Sequence, residues 1–263
     1  MLNLMKHTAG SLPHTWLLVA GLFLKLCLTG CSESHPTAAQ LEKGAIWMFP
    51  GIEGGQWSLT EVRRAFRDAG VQSAIYTHDW QRPPLLGTLS NLSDYKGNRK
   101  AAQSVAEEIV KYKDRYPQAP VDLVGYSGGG GMAIMTAEAL PKSLRLRNII
   151  LVHAAISPDY PLDPALQHVD GQLTNYYSPA DWLLLGVGTR LFGTMDRKHC
   201  QSAGKVGFDL TAAIQDPNLS SKFEQCSWTM DEFKKGEHFG GHGSIIFYDW
   251  NKNKVAPYLQ PVQ

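Results

Sequence analysis

Apolar and polar positions alternate along the chain in two periods. Ala45-Ile46-Trp47-Met48-Phe49 is an apolar run stopped by Pro50-Gly51, which predicts a core strand. Leu59, Val62, Phe66 and Ala69 then recur at helical spacing, with Gly70 placed as a C-cap. Residues 71–77 predict the next strand. Residues 98–116 predict an amphipathic helix whose apolar face carries Ala102, Val105, Ile109 and Tyr112. The apolar, β-branched stretch at 121–124 predicts a buried strand, residues 148–153 and 173–177 read as further strands, and the small and apolar residues from Gly129 to Leu140 predict a helix after the first of them. Strands alternating with helices define an α/β class, with a mostly parallel sheet covered by helices on both faces. Chemistry in such sheets collects at the carboxyl ends of the strands.

The first 31 residues follow a different pattern. Trp16-Leu17-Leu18-Val19-Ala20-Gly21-Leu22-Phe23-Leu24 is an apolar core preceded by Lys6, and it runs on to Leu28-Thr29-Gly30-Cys31. Small residues before a cysteine resemble the lipobox of bacterial lipoproteins, which implies a signal peptide at 1–30 and a lipidated Cys31. Lys25 inside the apolar stretch departs from that pattern. The run is short for a membrane span. Residues 31–43 are polar and read as a tether, leaving a single domain over 44–263. The implied location is a bacterial cell envelope, with the protein held to a membrane by its lipid.

With 263 residues the chain is long enough to bury a sizeable core as one domain. Its 25 basic and 24 acidic residues leave nothing to neutralise a phosphate backbone, so nucleic acid is not an expected partner. Beyond Cys27 and Cys31, the remaining cysteines are Cys200 and Cys226. In an oxidising compartment this even pair could form a disulfide. Histidines and cysteines at 199, 200, 226, 238 and 242 lack zinc-type spacing, because Gly240-Gly241 interrupts any helix joining His238 to His242. No metal and no cofactor is expected.

Gly125-Tyr126-Ser127-Gly128-Gly129 carries the most specific chemical signal, because an apolar strand precedes it and a helix follows. A serine on a sharp strand-to-helix turn needs small neighbours, and the turn holds its hydroxyl above the sheet. The same letters contain a rival. Gly128, Gly130 and Ala133 fit the dinucleotide fingerprint G-x-G-x-x-A. That loop requires an acidic residue at the end of the next strand, where this chain has His153-Ala154-Ala155.

From about Gly44 onward the chain resembles the α/β-hydrolase superfamily, in a compact form starting at the strand that usually comes third. The resemblance implies a serine nucleophile, an acid and a histidine in that chain order. The matching residues are Ser127, Asp181 after the strand at 173–177, and His242 in the loop Phe239-Gly240-Gly241-His242-Gly243-Ser244. His238 is the alternative base, and Asp159 and Asp163 are the alternative acids. The oxyanion donors implied are the backbone amides of Gly128 and of Ile52, in the loop Pro50-Gly51-Ile52-Glu53-Gly54-Gly55. Glu53 is a departure there, since a carboxylate aimed at an oxyanion would oppose catalysis. The apolar segment 182–192 reads either as core or as an exposed lid suited to lipid-like substrates. The activity implied is hydrolysis of a small-molecule or lipid carboxylic ester, with thioesters or peptides as alternatives. A non-catalytic surface protein on the same scaffold is the rival from another class.

Overall fold

The computed structural model describes residues 35–52, 54–81 and 90–260. The signal segment 1–30, the lipidation site Cys31 and Glu53 lie outside them. Among the described residues no helix is long and apolar enough to cross a membrane.

Six strands form one sheet: β1 (Ala45–Phe49), β2 (Ala74–Thr77), β3 (Val121–Tyr126), β4 (Asn148–Val152), β5 (Leu173–Tyr177) and β6 (Phe223–Ser227). Their order is β2-β1-β3-β4-β5-β6, and every pairing is parallel. The expected α/β class holds, and the sheet is parallel throughout. β1, β3 and β4 are buried along their whole length, as parallel strands covered on both faces must be.

Alternate residues of each strand feed two cores. Ala45, Trp47 and Phe49 of β1 join Val121 and Leu123 against Ala102, Val105, Ile109, Met132 and Met135. Those partners come from the helix Tyr95–Arg115 and from the helix Gly128–Glu138 after β3. Ile46 and Met48 face the other way, with Val124, Ile150 and Val152, onto Val62 and Phe66 of the helix Thr60–Asp68. Trp250, Val255 and Leu259 close that second core. Emptying a fully buried aromatic site such as Phe66 costs about 3–5 kcal/mol.

Three features differ from, or go beyond, the sequence reading. The stretch read as a tether holds a helix, Ala38–Lys43, started by a reciprocal capping box between Thr37 and Gln40. Leu41 packs on the first core and its carbonyl accepts from the Tyr112 hydroxyl at 2.6 Å, so the compact unit begins at Pro36 and not at residue 44. Strand β6 has no counterpart in the sequence reading. Its residues, Phe-Glu-Gln-Cys-Ser, are half-buried or exposed on the sheet edge and show no apolar run. Finally, the chain after His242 forms no single regular helix. Tight 3₁₀ turns at His242–Ile246 and Ala256–Leu259 flank a wider turn at Asn251–Val255.

Candidate active site

Ser127 stands between β3 and its helix with φ 55° and ψ −121°, a conformation that costs a non-glycine residue about 1–3 kcal/mol. The crowding around it explains the glycines. A Cβ on Gly129 would lie 2.1 Å from the Phe49 carbonyl oxygen, and one on Gly125 would lie 2.3 Å from the Gly129 carbonyl oxygen. Hydrogen bonds clamp the turn to β4: Ser127 N–H donates to the Val152 carbonyl at 2.9 Å, and Ala155 N–H donates to the Ser127 carbonyl at 3.0 Å. The strand-turn-helix expected of a nucleophile elbow is present, and the dinucleotide alternative is not supported, because β4 is followed by a histidine where that loop needs an acid.

The structure brings Ser127, His242 and Asp181 together. Ser127 Oγ lies 2.9 Å from His242 Nε2, and His242 Nδ1 lies 2.6 Å from Asp181 Oδ2. A carboxylate can only accept, so Nδ1 carries the proton and Nε2 is free to accept from the serine hydroxyl. Ser127 is 4 % exposed and Asp181 2 %, so the chain of hydrogen bonds is shielded from water. Burial alone would raise the Asp181 carboxyl, but hydrogen bonds from His153 and His242 outweigh it and hold the group well below the usual carboxylate range. The acid and base loops are joined: Ser178 Oγ donates to the Gly240 carbonyl at 2.7 Å and accepts from Ala180 N–H at 3.2 Å.

The alternatives stand elsewhere. Asp159 pairs with Lys198 at 2.7 Å, and Asp163 accepts from the amides of Gln215 and Asp216. His238 is 1 % exposed, and its ring lies tilted with its centroid 5.1 Å from those of both His153 and Trp250. Its Nδ1 accepts from Gly240 N–H at 2.9 Å, bracing the loop that presents His242. Cys200 and Cys226 are both free, which corrects the expected disulfide. The Cys200 thiol faces the charges of Asp196 and Asp159, whereas Cys226 on β6 packs beside Tyr176.

Ile52 and Ser127 line one cavity of about 400 Å³ with Leu92, Leu184, Leu185 and Ile245. A Cβ on Gly128 would meet Ile52 Cγ2 at 2.8 Å, so the two candidate oxyanion residues are in close contact. The Ile52 loop is braced by Trp80, buried and donating its indole N–H to the Pro50 carbonyl at 2.9 Å. Over the cavity runs Leu183–Gly188, continuing into Thr189–Phe192. Trp182, at 63 % exposure, and Leu191, at 65 %, face solvent, while Leu185 is buried. The segment therefore joins both expectations, core on one side and exposed apolar surface on the other.

Sequence reading did not assign His153. It follows β4 directly, is 1 % exposed, and its Nδ1 lies 2.8 Å from the same Asp181 oxygen that His242 uses. Its position at the carboxyl end of the strand beside β3 was the available signal. Among the described residues, His153, Asp181 and His242 are also the one group whose donor atoms lie close enough to share a metal ion. Both inner ring nitrogens already bond to Asp181.

No family model and no curated protein matches the chain. Among solved structures it is similar to a Bacillus licheniformis lipase in its mature form, at 13% identity over 87% of this chain and 95% of that one, with a TM-score of 0.47. It is also similar to a predicted CIB-like hydrolase from Thermoplasma acidophilum, at 17% identity over 85% and 88% of the two chains, TM-score 0.46. A third is a Trichoderma reesei cutinase in complex with a phosphonate inhibitor, at 13% identity over 93% and 88%, TM-score 0.43.

Proposed function

We propose that this protein is a serine hydrolase that cleaves carboxylic esters through an acyl-enzyme. The observation that carries the reading is the hydrogen-bonded chain from Ser127 Oγ to His242 Nε2, at 2.9 Å, and from His242 Nδ1 to Asp181, at 2.6 Å, with the serine held on a strained elbow. His242 takes the hydroxyl proton as Oγ attacks the carbonyl carbon, and Asp181 orients the ring and stabilises the imidazolium. The amides of Gly128 and Ile52 receive the developing oxyanion. His242 then gives its proton to the leaving alcohol. Water, deprotonated by the same ring, attacks the acyl-enzyme and frees the acid.

The apolar cavity beside Ser127 and the exposed apolar segment above it favour an ester with a hydrocarbon acyl chain. The lipid anchor at Cys31 is part of the proposal and rests on the sequence pattern. It places the site outside the cytoplasm, against a membrane. Labelling with a fluorophosphonate tests the chemistry: the wild type should label on one serine and Ser127→Ala should not. Equal labelling of the two would sink the reading. Cys31→Ser should abolish incorporation of labelled fatty acid into the full chain, and unchanged incorporation would refute the anchor.

A further inference from the structure

Asp181 serves two histidines. The Nδ1–H of His242 and the Nδ1–H of His153 both donate to the same oxygen, Oδ2, at 2.6 and 2.8 Å. His242 meets the serine with its other nitrogen, whereas His153 does not, and burial pushes the His153 ring down towards its neutral form. A neutral ring facing a carboxylate has one tautomer available, with hydrogen on Nδ1.

The backbone holds this ring in place against resistance. His153 has φ 50°, one of three non-glycine residues at positive φ among those described. Its N–H donates to the Tyr176 carbonyl at 2.9 Å, and Gly204 packs so tightly that a Cβ there would lie 2.1 Å from the His153 carbonyl carbon. Strain of this kind persists where surrounding structure enforces it, and here it delivers one N–H to one carboxylate oxygen.

Resting on the hydrolase reading, we infer that His153 is a positioning residue: it locks the Asp181 carboxylate so that His242 faces Ser127, and it tempers the acid's pull on the His242 proton. A carboxylate with two donors is a weaker acceptor towards each of them. Removing one donor makes Asp181 grip the imidazolium of His242 more strongly. The base then fills with protons at higher pH and is less available at neutrality. The titratable groups facing this cluster are His238 from the loop before His242 and Glu232 from the helix Met230–Lys234, where Glu232 accepts from Trp250 Nε1 and from Thr229 N–H. Lys254 lies 3.9 Å from Glu232. None of these groups can replace the lost N–H on Asp181 without moving.

Two variants and one spectrum test the inference. His153→Leu removes the donor, and His153→Asn keeps a side-chain N–H on a residue that tolerates positive φ. At equal folded fraction, fluorophosphonate labelling and kcat of the Leu variant should fall about tenfold or more, the loss of one hydrogen bond to a buried charge. KM should change little, and the low-pH limb of the rate profile should move to higher pH. The Asn variant should recover to within a few-fold, with the wild-type limb. Should the Leu variant not fold, the comparison of wild type with Asn decides by NMR: the wild type should show two low-field imidazole N–H signals and Asn one. Leu labelling at the wild-type rate with an unmoved limb overturns the positioning role, as does a rate loss shared equally by Leu and Asn, or a single low-field signal in the wild type. Absence of labelling in the wild type overturns the hydrolase reading itself, and the positioning role with it.

Discussion

Two buried aspartates, Asp122 and Asp181, sit at opposite ends of the sheet and are held in opposite ways. Asp122, fully buried at the amino end of β3, receives a two-pronged guanidinium from Arg147 and the Asn148 amide at 3.2 Å. Arg147 also donates to the Leu259 and Gln260 carbonyls at 3.0 and 2.8 Å, sealing the late part of the chain against the sheet. That charge is neutralised by a permanent cation. Asp181, at the carboxyl end, receives two imidazole N–H groups and no permanent cation. Its charge is solvated by those two hydrogen bonds. One end of the sheet uses its carboxylate to hold the fold; at the other, on the proposed hydrolase reading, the carboxylate would face the charge that forms on His242 during reaction.

Replacing each aspartate should separate these roles. Asp181→Asn should lower kcat about 10⁴-fold while the protein stays folded, because the ring loses the acceptor that fixes its tautomer. Asp122→Asn should keep kcat within a few-fold but cost about 3–5 kcal/mol in urea unfolding, since it leaves the Arg147 guanidinium buried without its partner. If folded Asp122→Asn lost activity as deeply as Asp181→Asn, the division would fail.

The next effect is on acid stability. Burial lowers His238 to about 3, against about 6.5 for an exposed ring in the unfolded chain. Below pH 6.5 the unfolded state therefore binds a proton that the folded state refuses. Stability fully present above pH 6.5 is lost progressively as pH falls towards 3. The midpoint of thermal unfolding should drop over that window, and His238→Gln, which cannot titrate, should flatten the slope. An unchanged slope would remove His238 from the account.

The smallest effect concerns the apolar segment over the cavity. Leu184→Ser should reduce hydrolysis of long-chain esters about fivefold more than that of short-chain esters, the worth of one or two buried methylenes. Equal losses on both would detach the segment from acyl-chain binding.

Legibility in the sequence followed burial. β1 and β4 were plain because both faces of each lie in the core, which leaves near-continuous apolar runs. β6 was silent because an edge strand with half-exposed Phe223 and Cys226 leaves no such run. Ser127 was legible because an elbow imposes glycines on its own neighbours, as the contacts at Gly125 and Gly129 show. Asp181 and His242 could be placed only by chain order and loop context. His153 had only its place after β4 as a signal, since its contact with Asp181 forms only where β4, the Asp181 loop and the His242 loop converge. The paired count of Cys200 and Cys226 misled for the same reason: counting thiols says nothing of which surfaces they face.

The hydroxyl of Tyr126, the residue before Ser127, donates to Asn251 Oδ1 at 2.6 Å, and Asn251 in turn donates to the carbonyls of Ile245 and Phe247. On a ribosome, β3 emerges long before these partners exist. Its buried phenol, and the carboxylate secured by Arg147 and the 259–260 carbonyls, must wait for the final stretch of translation. On the proposed hydrolase reading, a nascent chain would thus carry its candidate nucleophile well before the candidate base His242 and the Asn251 anchor of Tyr126 are made.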